Sequence, residues 1–205
     1  MAVFITGVGI APSGLPAGFT ALDYIESTGS QYIDTGFKHN QDTRVVMDAQ
    51  LTSVSSNAWL FEGRNGTGSA SSLASKSVFF YYSSTSLWTT DYGGSGDRLN
   101  FSGIGSTDRL SIDYDKNICT INGQTVTHTA TTFQSNYNLF LLADNRAGSA
   151  SGPASAKLYS CQIYDNGTLI RDFAPCINAS GEIGLYDKVN GAFYGNAGSG
   201  EFTGG

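Results

Sequence analysis

Residues 157–173 read KLYSCQIYDNGTLIRDF, and this stretch decides the fold. Tyr159, Cys161 and Ile163 share one parity of an extended chain, and the residues between them share the other. Asn166-Gly167 then supplies the positive backbone angles of a two-residue hairpin turn. The stretch therefore predicts two antiparallel strands joined by a tight turn.

The rest of the chain repeats this pattern. A hairpin is predicted from residues 109–114 and 118–121, and Asn122-Gly123 turns the chain again into a strand over 124–130. Further strands are predicted at 22–26, 31–34, 43–51, 59–62, 77–82, 87–91, 138–143 and 184–187. No stretch shows helical spacing. Short strands of this kind each bury one face against a second sheet, so we predict an all-β protein, a two-sheet antiparallel sandwich or jelly roll.

Composition supports a folded domain and excludes one class of partner. The 205 residues are 40% hydrophobic and 12% aromatic, enough for a core, so the many glycines and serines belong to turns and loops. Segments 65–75 and 147–155 are predicted as mobile loops. Lys+Arg 11 against Asp+Glu 17 gives a net charge of −6 without a basic cluster, so nucleic acid is not expected as a partner.

The three cysteines are predicted to be free thiols. Cys119, Cys161 and Cys176 allow one disulfide at most. The turn at Asn166-Gly167 places Cys161 opposite a position near Asp172, several residues short of Cys176.

The N-terminus is predicted to be an extended arm over residues 1–20, followed by one domain over 21–205. It has no Lys or Arg before its apolar part, and Gly and Pro interrupt that part, so a secretory signal is disfavoured. No segment has the length of a membrane span. The arm is predicted to dock on its own domain or on a neighbouring subunit, and the alternative is a plain edge strand that closes the sandwich. Its predicted anchoring residues are Val3, Phe4, Ile5, Val8 and Ile10.

Catalytic patterns are missing from the sequence. His39 and His128 have no further ligand at metal-binding spacing, and His128 is interpreted as a structural histidine. The four glutamates form no Glu-x-Asp-x-Glu strand of the kind that glycosidases on such sandwiches use. We therefore predict that the protein is not an enzyme.

Two motifs carry a family resemblance. Residues 24–36, YIESTGSQYIDTG, and residues 184–196, GLYDKVNGAFYGN, resemble the laminin-G-like, concanavalin A-like jelly rolls of bacteriophage virion proteins and bacterial surface proteins. The segments Ile121-Asn122-Gly123 and Ile163-Tyr164-Asp165 resemble the same family, so the likeness spans residues 21–205.

The resemblance implies a binding or structural module. It leaves any metal site unassigned, because the family's calcium ligands have no matching residues here; Asp144-Asn145 is the one pair considered for calcium. No other cofactor is expected. In such proteins the domain is often one unit among several, whereas here it makes up nearly the whole chain.

Two functions remain open. In the first, the protein is a bacteriophage virion structural protein, a capsid decoration, head-fibre or tail-associated protein assembled in the bacterial cytoplasm. Its arm would anchor it to capsid or tail subunits in an oligomeric assembly, and its jelly roll would serve as an adhesion head. In the second, it is a carbohydrate-binding module of a bacterial cell surface or secreted adhesin. The two are compatible, since a virion decoration can itself bind glycans of a host surface or of mucus.

Aromatic side chains are the candidate ligand-binding residues, because flat apolar rings stack on the C–H faces of sugars. The candidates are Trp88, Tyr82, Trp59 and Tyr92. Trp88 follows a loop-like Ser/Thr segment and is predicted to be exposed. The alternative for any of these rings is packing in the core or at a subunit interface.

Overall fold

A computed structural model describes residues 14–54, 57–66, 77–82, 85–93 and 98–205, with the backbone alone at 77–80 and 82. The described residues form strands, turns and loops without a helix, and so contain no helix that could cross a membrane. The strands, in chain order, are β1 (Thr20–Ala21), β2 (Ile25–Thr28), β3 (Ile33–Asp34), β4 (Thr43–Leu51), β5 (Ala58–Gly63), β6 (Ser77–Tyr82), β7 (Leu87–Tyr92), β8 (Leu99–Phe101), β9 (Arg109–Asp115), β10 (Ile118–Ile121), β11 (Gln124–Thr127), β12 (Phe140–Leu141), β13 (Asp144–Arg146), β14 (Ser149–Ser151), β15 (Ser155–Asp165), β16 (Thr168–Ile177), β17 (Ile183–Asp187), β18 (Ala192–Tyr194) and β19 (Thr203–Gly204).

Two antiparallel sheets enclose the core, and the predicted all-β sandwich is confirmed. The larger sheet has the order β11-β10-β9-β4-β15-β16-β17-β18, with β1 beside β16, β2 beside β15 and β19 beside β2. The smaller sheet has the order β3-β12-β5-β6-β7-β8, and β13 and β14 form a separate hairpin. Along β4 every second side chain, from Thr43 to Leu51, is buried, which is the pattern of a strand with one face on the core. The core cluster includes Met47, Phe61, Ile112 and Phe173.

A bulge in β15 changes the predicted parity of the deciding stretch. The pairing of β15 with β4 shifts between Leu158 and Ser160, so Tyr159 is the extra residue. Leu158 and Cys161 are both fully buried, while Tyr159 is only partly buried. The predicted common parity of Tyr159 and Cys161 is therefore wrong, because one inserted residue reverses the alternation.

The predicted turns and thiols are confirmed. Asn166 and Gly167 join β15 to β16 with φ of 47° and 78°, and Asn122 and Gly123 join β10 to β11 in the same way. All three cysteines are free and buried. Cys161 pairs across the hairpin with Phe173, next to the predicted position.

The two motifs that carry the family resemblance meet in space. The Asn196 side-chain oxygen accepts hydrogen bonds from the backbone N–H groups of Tyr32 (3.1 Å) and Gly198 (2.8 Å). The backbone N–H of Ala197 donates to the Tyr32 carbonyl at 3.0 Å. Residues far apart in sequence are thus joined by hydrogen bonds between the backbone of one motif and the side chain and backbone at the end of the other.

The described part of the N-terminal arm lies on the protein's own larger sheet. Thr20 and Ala21 pair with β16, and the Phe19 ring lies 4.8 Å from the Tyr186 ring. Leu15 is fully buried. The predicted boundary between residues 20 and 21 therefore falls inside β1, and residues 14–20 belong to the folded body.

The segment predicted as a mobile loop over 147–155 contains the turn and the second strand of a hairpin. β13 and β14 pair around Ala147 and Gly148, both with positive φ. Next to this hairpin, Gly152 lies under the Trp59 ring, since a Cβ built on Gly152 would clash with carbons of that ring. A glycine at 152 is therefore required by the close approach of the ring as well as by its φ of 54°.

We predict that Gly152→Ala destabilises the protein more than Gly167→Ala. Both glycines have positive φ, so both changes cost about 1–2 kcal/mol of backbone strain. Only the Gly152 change also drives a methyl group into a rigid ring, which costs about 1–3 kcal/mol more. Urea unfolding of the two variants measures the difference. Equal losses would show that the Trp59 ring does not rest on Gly152.

Candidate functional site

Four loops meet at one end of the sandwich. Two of them are hairpin turns, Lys116-Asn117 between β9 and β10 and Asn166-Gly167 between β15 and β16. The third is the segment 40–43 that leads into β4, and the fourth is the segment 128–133 that follows β11. Antiparallel pairing of Arg44 with both Asp115 and Tyr164 brings the first three to the same end.

Backbone hydrogen bonds hold the two turns against the segment 40–43. The N–H of Lys116 donates to the Thr43 carbonyl at 3.0 Å, and the N–H of Asn166 donates to the Asp42 carbonyl at 3.1 Å. The Asn40 amide also donates to Asp165 at 2.9 Å. The positions of both turns are therefore set by main-chain contacts.

Similar contacts hold the segment 128–133. His128 and Asn117 exchange hydrogen bonds, from the His128 N–H to the Asn117 carbonyl (2.8 Å) and from the Asn117 amide to the His128 carbonyl (2.7 Å). The N–H of Phe133 donates to the Gln41 side chain at 3.1 Å. Hydrogen bonds thus join all four loops into one connected surface.

Two adjacent pockets open on this surface. The first, of about 290 Å³, is lined by Arg44, Asp115, Lys116, Tyr164, Asn166 and Gly167. The second, of about 280 Å³, is lined by Gln41, Asp42, Tyr92, Lys116, Asn117, Ala130, Thr131 and Thr132. Because Lys116 lines both, it stands between them. We call these two sets of residues together the loop-end groove.

The first pocket presents an oriented aromatic ring. Tyr164 is partly exposed, its hydroxyl donates to Gln162 at 3.0 Å, and the guanidinium of Arg44 lies 5.3 Å from its ring centroid. Two hydrogen bonds of 2.8 and 2.7 Å hold Arg44 to Asp113 and raise the pKa of its guanidinium. The ring is therefore held in place by a cation that is itself fixed.

The groove carries balanced charges. Lys116 pairs with Asp42 at 3.5 Å, with about half of the lysine side chain exposed. Arg44 and Lys116 are matched by Asp42 and Asp115 among the lining residues. Amides and hydroxyls make up most of the remaining lining. Such a surface offers donors and acceptors side by side and favours a neutral, hydroxyl-rich ligand over an ion.

Tyr92, a predicted ligand-binding residue, lies at the floor of the second pocket. It is nearly buried, and its hydroxyl donates to the Gln41 carbonyl at 3.0 Å. Burial raises the pKa of Tyr92 to about 12, so the phenol stays protonated. Its ring packs on Phe133 and His128. Tyr92 is therefore mainly a support for the pocket rather than an exposed platform.

The predicted exposure of Trp88 is wrong. The side chain is 0% exposed, its indole N–H donates to the Gly105 carbonyl at 3.0 Å, and its ring meets Tyr81 edge-on at 5.4 Å. Alternation along β7 places Trp88 with Tyr92 on the core side, and this outweighs the loop-like sequence before it. Trp88 thus belongs to the core.

Trp59 lies on the opposite face of the smaller sheet and does not join the other candidates. It is partly exposed, with Gly152 against its ring and the Arg146 guanidinium 5.7 Å from its ring centroid. These contacts hold the β13–β14 hairpin to β5. Tyr82 pairs with Leu87 at the end of β6, and its side chain lies outside the described residues.

Asp144 and Asn145, the pair considered for calcium, have other partners. Asp144 accepts hydrogen bonds from Arg64, at 2.6 Å, and from Arg146. The Asn145 oxygen accepts from the N–H of Gly148 at 2.8 Å. A calcium ion here would have to displace a guanidinium, so the arrangement favours a structural role. Across the described ranges, no three His, Cys, Asp or Glu residues are grouped to hold a metal ion.

A buried ion cluster underlies the same hairpin. Arg64 contacts Glu62 at 3.5 Å as well as Asp144 at 2.6 Å, and all three side chains are almost inaccessible. One cation shared by two buried carboxylates neutralises charge in the interior and is costly to break. These carboxylates therefore serve the fold. The prediction that the protein is not an enzyme stays a prediction.

The two histidines are buried, as the structural interpretation of His128 expects. The His128 ring lies about equally close to the rings of Tyr92 (6.1 Å) and Tyr114 (6.3 Å), and His39 packs edge-on against Phe133. Burial lowers the pKa of His39 to about 3. The neutral imidazole therefore belongs to the folded state.

The predicted anchoring residues Val3, Phe4, Ile5, Val8 and Ile10 lie outside the described residues.

The sequence predicts the turns of the groove, but it does not predict that they lie at the same end of the sandwich. Lys116-Asn117 and Asn166-Gly167 were recognisable as hairpin turns, and Tyr164 as a strand residue. Nothing in the sequence indicates which turns lie at the same end of the sandwich, since that depends on strand order. The one local signal is a tyrosine, Tyr164, two residues before the Asn166-Gly167 turn.

Comparison with known proteins gives a distant structural likeness. The chain matches no family model and no curated protein. A solved structure described as Ruminococcus gnavus IT-sialidase CBM40 aligns with 71% of this chain and 91% of its own, at 14% identity and a TM-score of 0.48. Similarity at this level says nothing about what this chain binds.

We predict that Trp88→Ala lowers the free energy of unfolding by about 3–5 kcal/mol, because it removes a fully buried indole. Ile118→Ala is the control, since Ile118 is 44% exposed and its loss is expected to change stability by about 0.5 kcal/mol at most. Urea denaturation measures both. A similar small change in the two variants would contradict the burial of Trp88.

We predict that acid destabilises the protein partly through His39. Its pKa is about 3 when folded and 6.5 in the unfolded reference, so below pH 6.5 the unfolded chain binds the extra proton. Stability is then lost as pH falls, at about 1.4 kcal/mol per unit for one proton. His39→Gln lacks this contribution. The test is the free energy of unfolding of the wild type and of His39→Gln, measured at pH 7 and at pH 5. An equal loss of stability in both proteins would refute the prediction.

Proposed function

We propose that the protein is a non-catalytic carbohydrate-binding module whose ligand site is the loop-end groove. The observation that carries this proposal is the pair of adjacent polar pockets with the fixed Tyr164 ring and balanced charges. Loops positioned by a rigid sandwich are a common place for recognition.

The chemistry of the lining fits a sugar. A pyranose has hydroxyl groups that both donate and accept, and an apolar C–H face. Lys116 and Arg44 donate, Asp42 and Asp115 accept, and the amide of Asn117 can do both. The Tyr164 ring supplies a flat apolar surface.

The loops of the groove are preorganised, which favours the binding of a polar ligand such as a sugar. The turns and segments of the groove are already held by hydrogen bonds of 2.7–3.1 Å, such as those of Asn117 and Asn166. A site that needs little ordering on binding loses less free energy to entropy. Polar contacts can then yield measurable affinity despite their individually small contributions.

The setting that we propose is the one that the sequence predicts. It is a bacteriophage virion, where capsid or tail subunits would be the partners, or a bacterial surface. Glycans of a host surface or of mucus would then be the ligands. The support for this setting is the resemblance of residues 24–36 and 184–196, and the virion-anchoring role remains a proposal resting on residues 1–20.

We predict that Tyr164→Ala weakens glycan binding at least tenfold, while Tyr159→Ala leaves it unchanged. The two tyrosines are closely matched: both lie on β15, both carry an arginine against the ring, and both donate to a glutamine. Only Tyr164 lines the groove. An aromatic–sugar contact is expected to contribute roughly 1.5 kcal/mol, which corresponds to about tenfold in affinity.

A printed glycan array followed by calorimetry measures these affinities, with thermal unfolding to confirm that both variants fold. Loss of binding in Tyr159→Ala alone would move the site to the outer face of the larger sheet. Absence of binding by the wild-type protein to any arrayed glycan would refute the proposed function.

A further inference from the structure

The loop-end groove is divided, and the division points to the size of its ligand. Its two pockets have nearly the same volume, about 290 and 280 Å³, and each is just below the usual range of about 300–1,000 Å³ for a small-molecule site. Lys116 lines both pockets and so lies at their boundary, and it pairs with Asp42 of the second pocket.

We infer that the groove binds two consecutive sugar rings, one on each side of Lys116, and therefore selects oligosaccharides over monosaccharides. This inference rests on the proposed function and assigns a role to each pocket. The first pocket holds one ring against Tyr164. The second holds the neighbouring ring above Tyr92, among the hydroxyls of Thr131 and Thr132.

Lys116 is suited to contact both rings. Its ammonium group has three N–H donors, and the ion pair with Asp42 engages one of them. Its backbone is fixed by the hydrogen bond from its N–H to the Thr43 carbonyl at 3.0 Å and by a φ of 55°. Donors from one lysine thus face a ring on either side.

The second pocket offers groups that are polar but already oriented. The Gln41 amide donates to Asp42 at 3.0 Å, and the Asn117 amide is held by the His128 carbonyl. The remaining lone pairs of Asp42 and the exposed hydroxyl of Thr132 stay available for a sugar. No aromatic face is exposed there among the lining residues, since Tyr92 is nearly buried. Binding in this pocket is therefore expected to rely on hydrogen bonds.

The unequal chemistry of the pockets predicts a dependence on chain length. The ring on Tyr164 gains the stacking contact, whereas the second ring adds only polar contacts. A one-ring sugar is therefore expected to occupy the first pocket, and a two-ring sugar both. Because the second ring binds at a groove that the first has already located, its contacts add to the affinity without a second loss of translational freedom.

The test uses two variants that separate the pockets. Tyr164→Ala removes the platform of the first pocket. Thr132→Trp fills the second from an exposed position, and Thr107→Trp places the same side chain at an exposed position near the start of β9, away from the groove. The probes are the strongest-binding glycan of a printed array and its two-ring and one-ring fragments, titrated by calorimetry.

For the wild type we expect the two-ring fragment to bind at least tenfold more tightly than the one-ring fragment. Thr132→Trp should abolish this difference and leave the one-ring affinity unchanged, while Tyr164→Ala weakens both fragments and Thr107→Trp neither. Equal affinities of the fragments for the wild type, or an unchanged two-ring affinity in Thr132→Trp, would overturn the two-ring inference and leave the proposed function standing. Absence of binding by every arrayed glycan would overturn both.

Discussion

The antiparallel pairing of β15 with β4 and β16 is the constraint on which the rest of the structure depends. It runs through the centre of the larger sheet and places core residues such as Met47, Cys161 and Phe173 side by side. The bulge at Tyr159 lets both Leu158 and Cys161 face the core. The residues after the bulge then alternate so that Tyr164 faces outward, next to the turn that forms one wall of the loop-end groove. A change in this register would move the core and the groove together.

The groove shows how a sandwich can build a binding surface from turns. Hairpin turns with positive backbone angles have little freedom of their own. Hydrogen bonds to the segment 40–43 restrict the two turns further, since the backbone N–H groups of Lys116 and Asn166 donate to its carbonyls. Polar side chains are thereby presented at fixed positions without being buried. A surface of this kind can recognise hydroxyl groups, and its balanced charges fit the absence of any basic cluster in the sequence.

On the smaller sheet, aromatic and charged residues of the kinds found in ligand sites make contacts within the fold. Trp88 fills the core, and Trp59 rests on Gly152 beside the β13–β14 hairpin. Arg64 joins two buried carboxylates below the same hairpin. Residue type misleads here, because tryptophan and paired carboxylates stabilise cores and hairpins for the same physical reasons that make them useful in binding sites.

By itself, the sequence determined the all-β class, most strand positions, and the turns at Asn122-Gly123 and Asn166-Gly167. These features depend on local backbone preferences and on alternation along single strands, and both are determined by residues that are neighbours in the sequence. Only the tertiary structure decided which turns meet, that β15 carries a bulge, and that Trp88 is covered. Strand order, register and burial depend on contacts between residues distant in sequence, so no local pattern contains them.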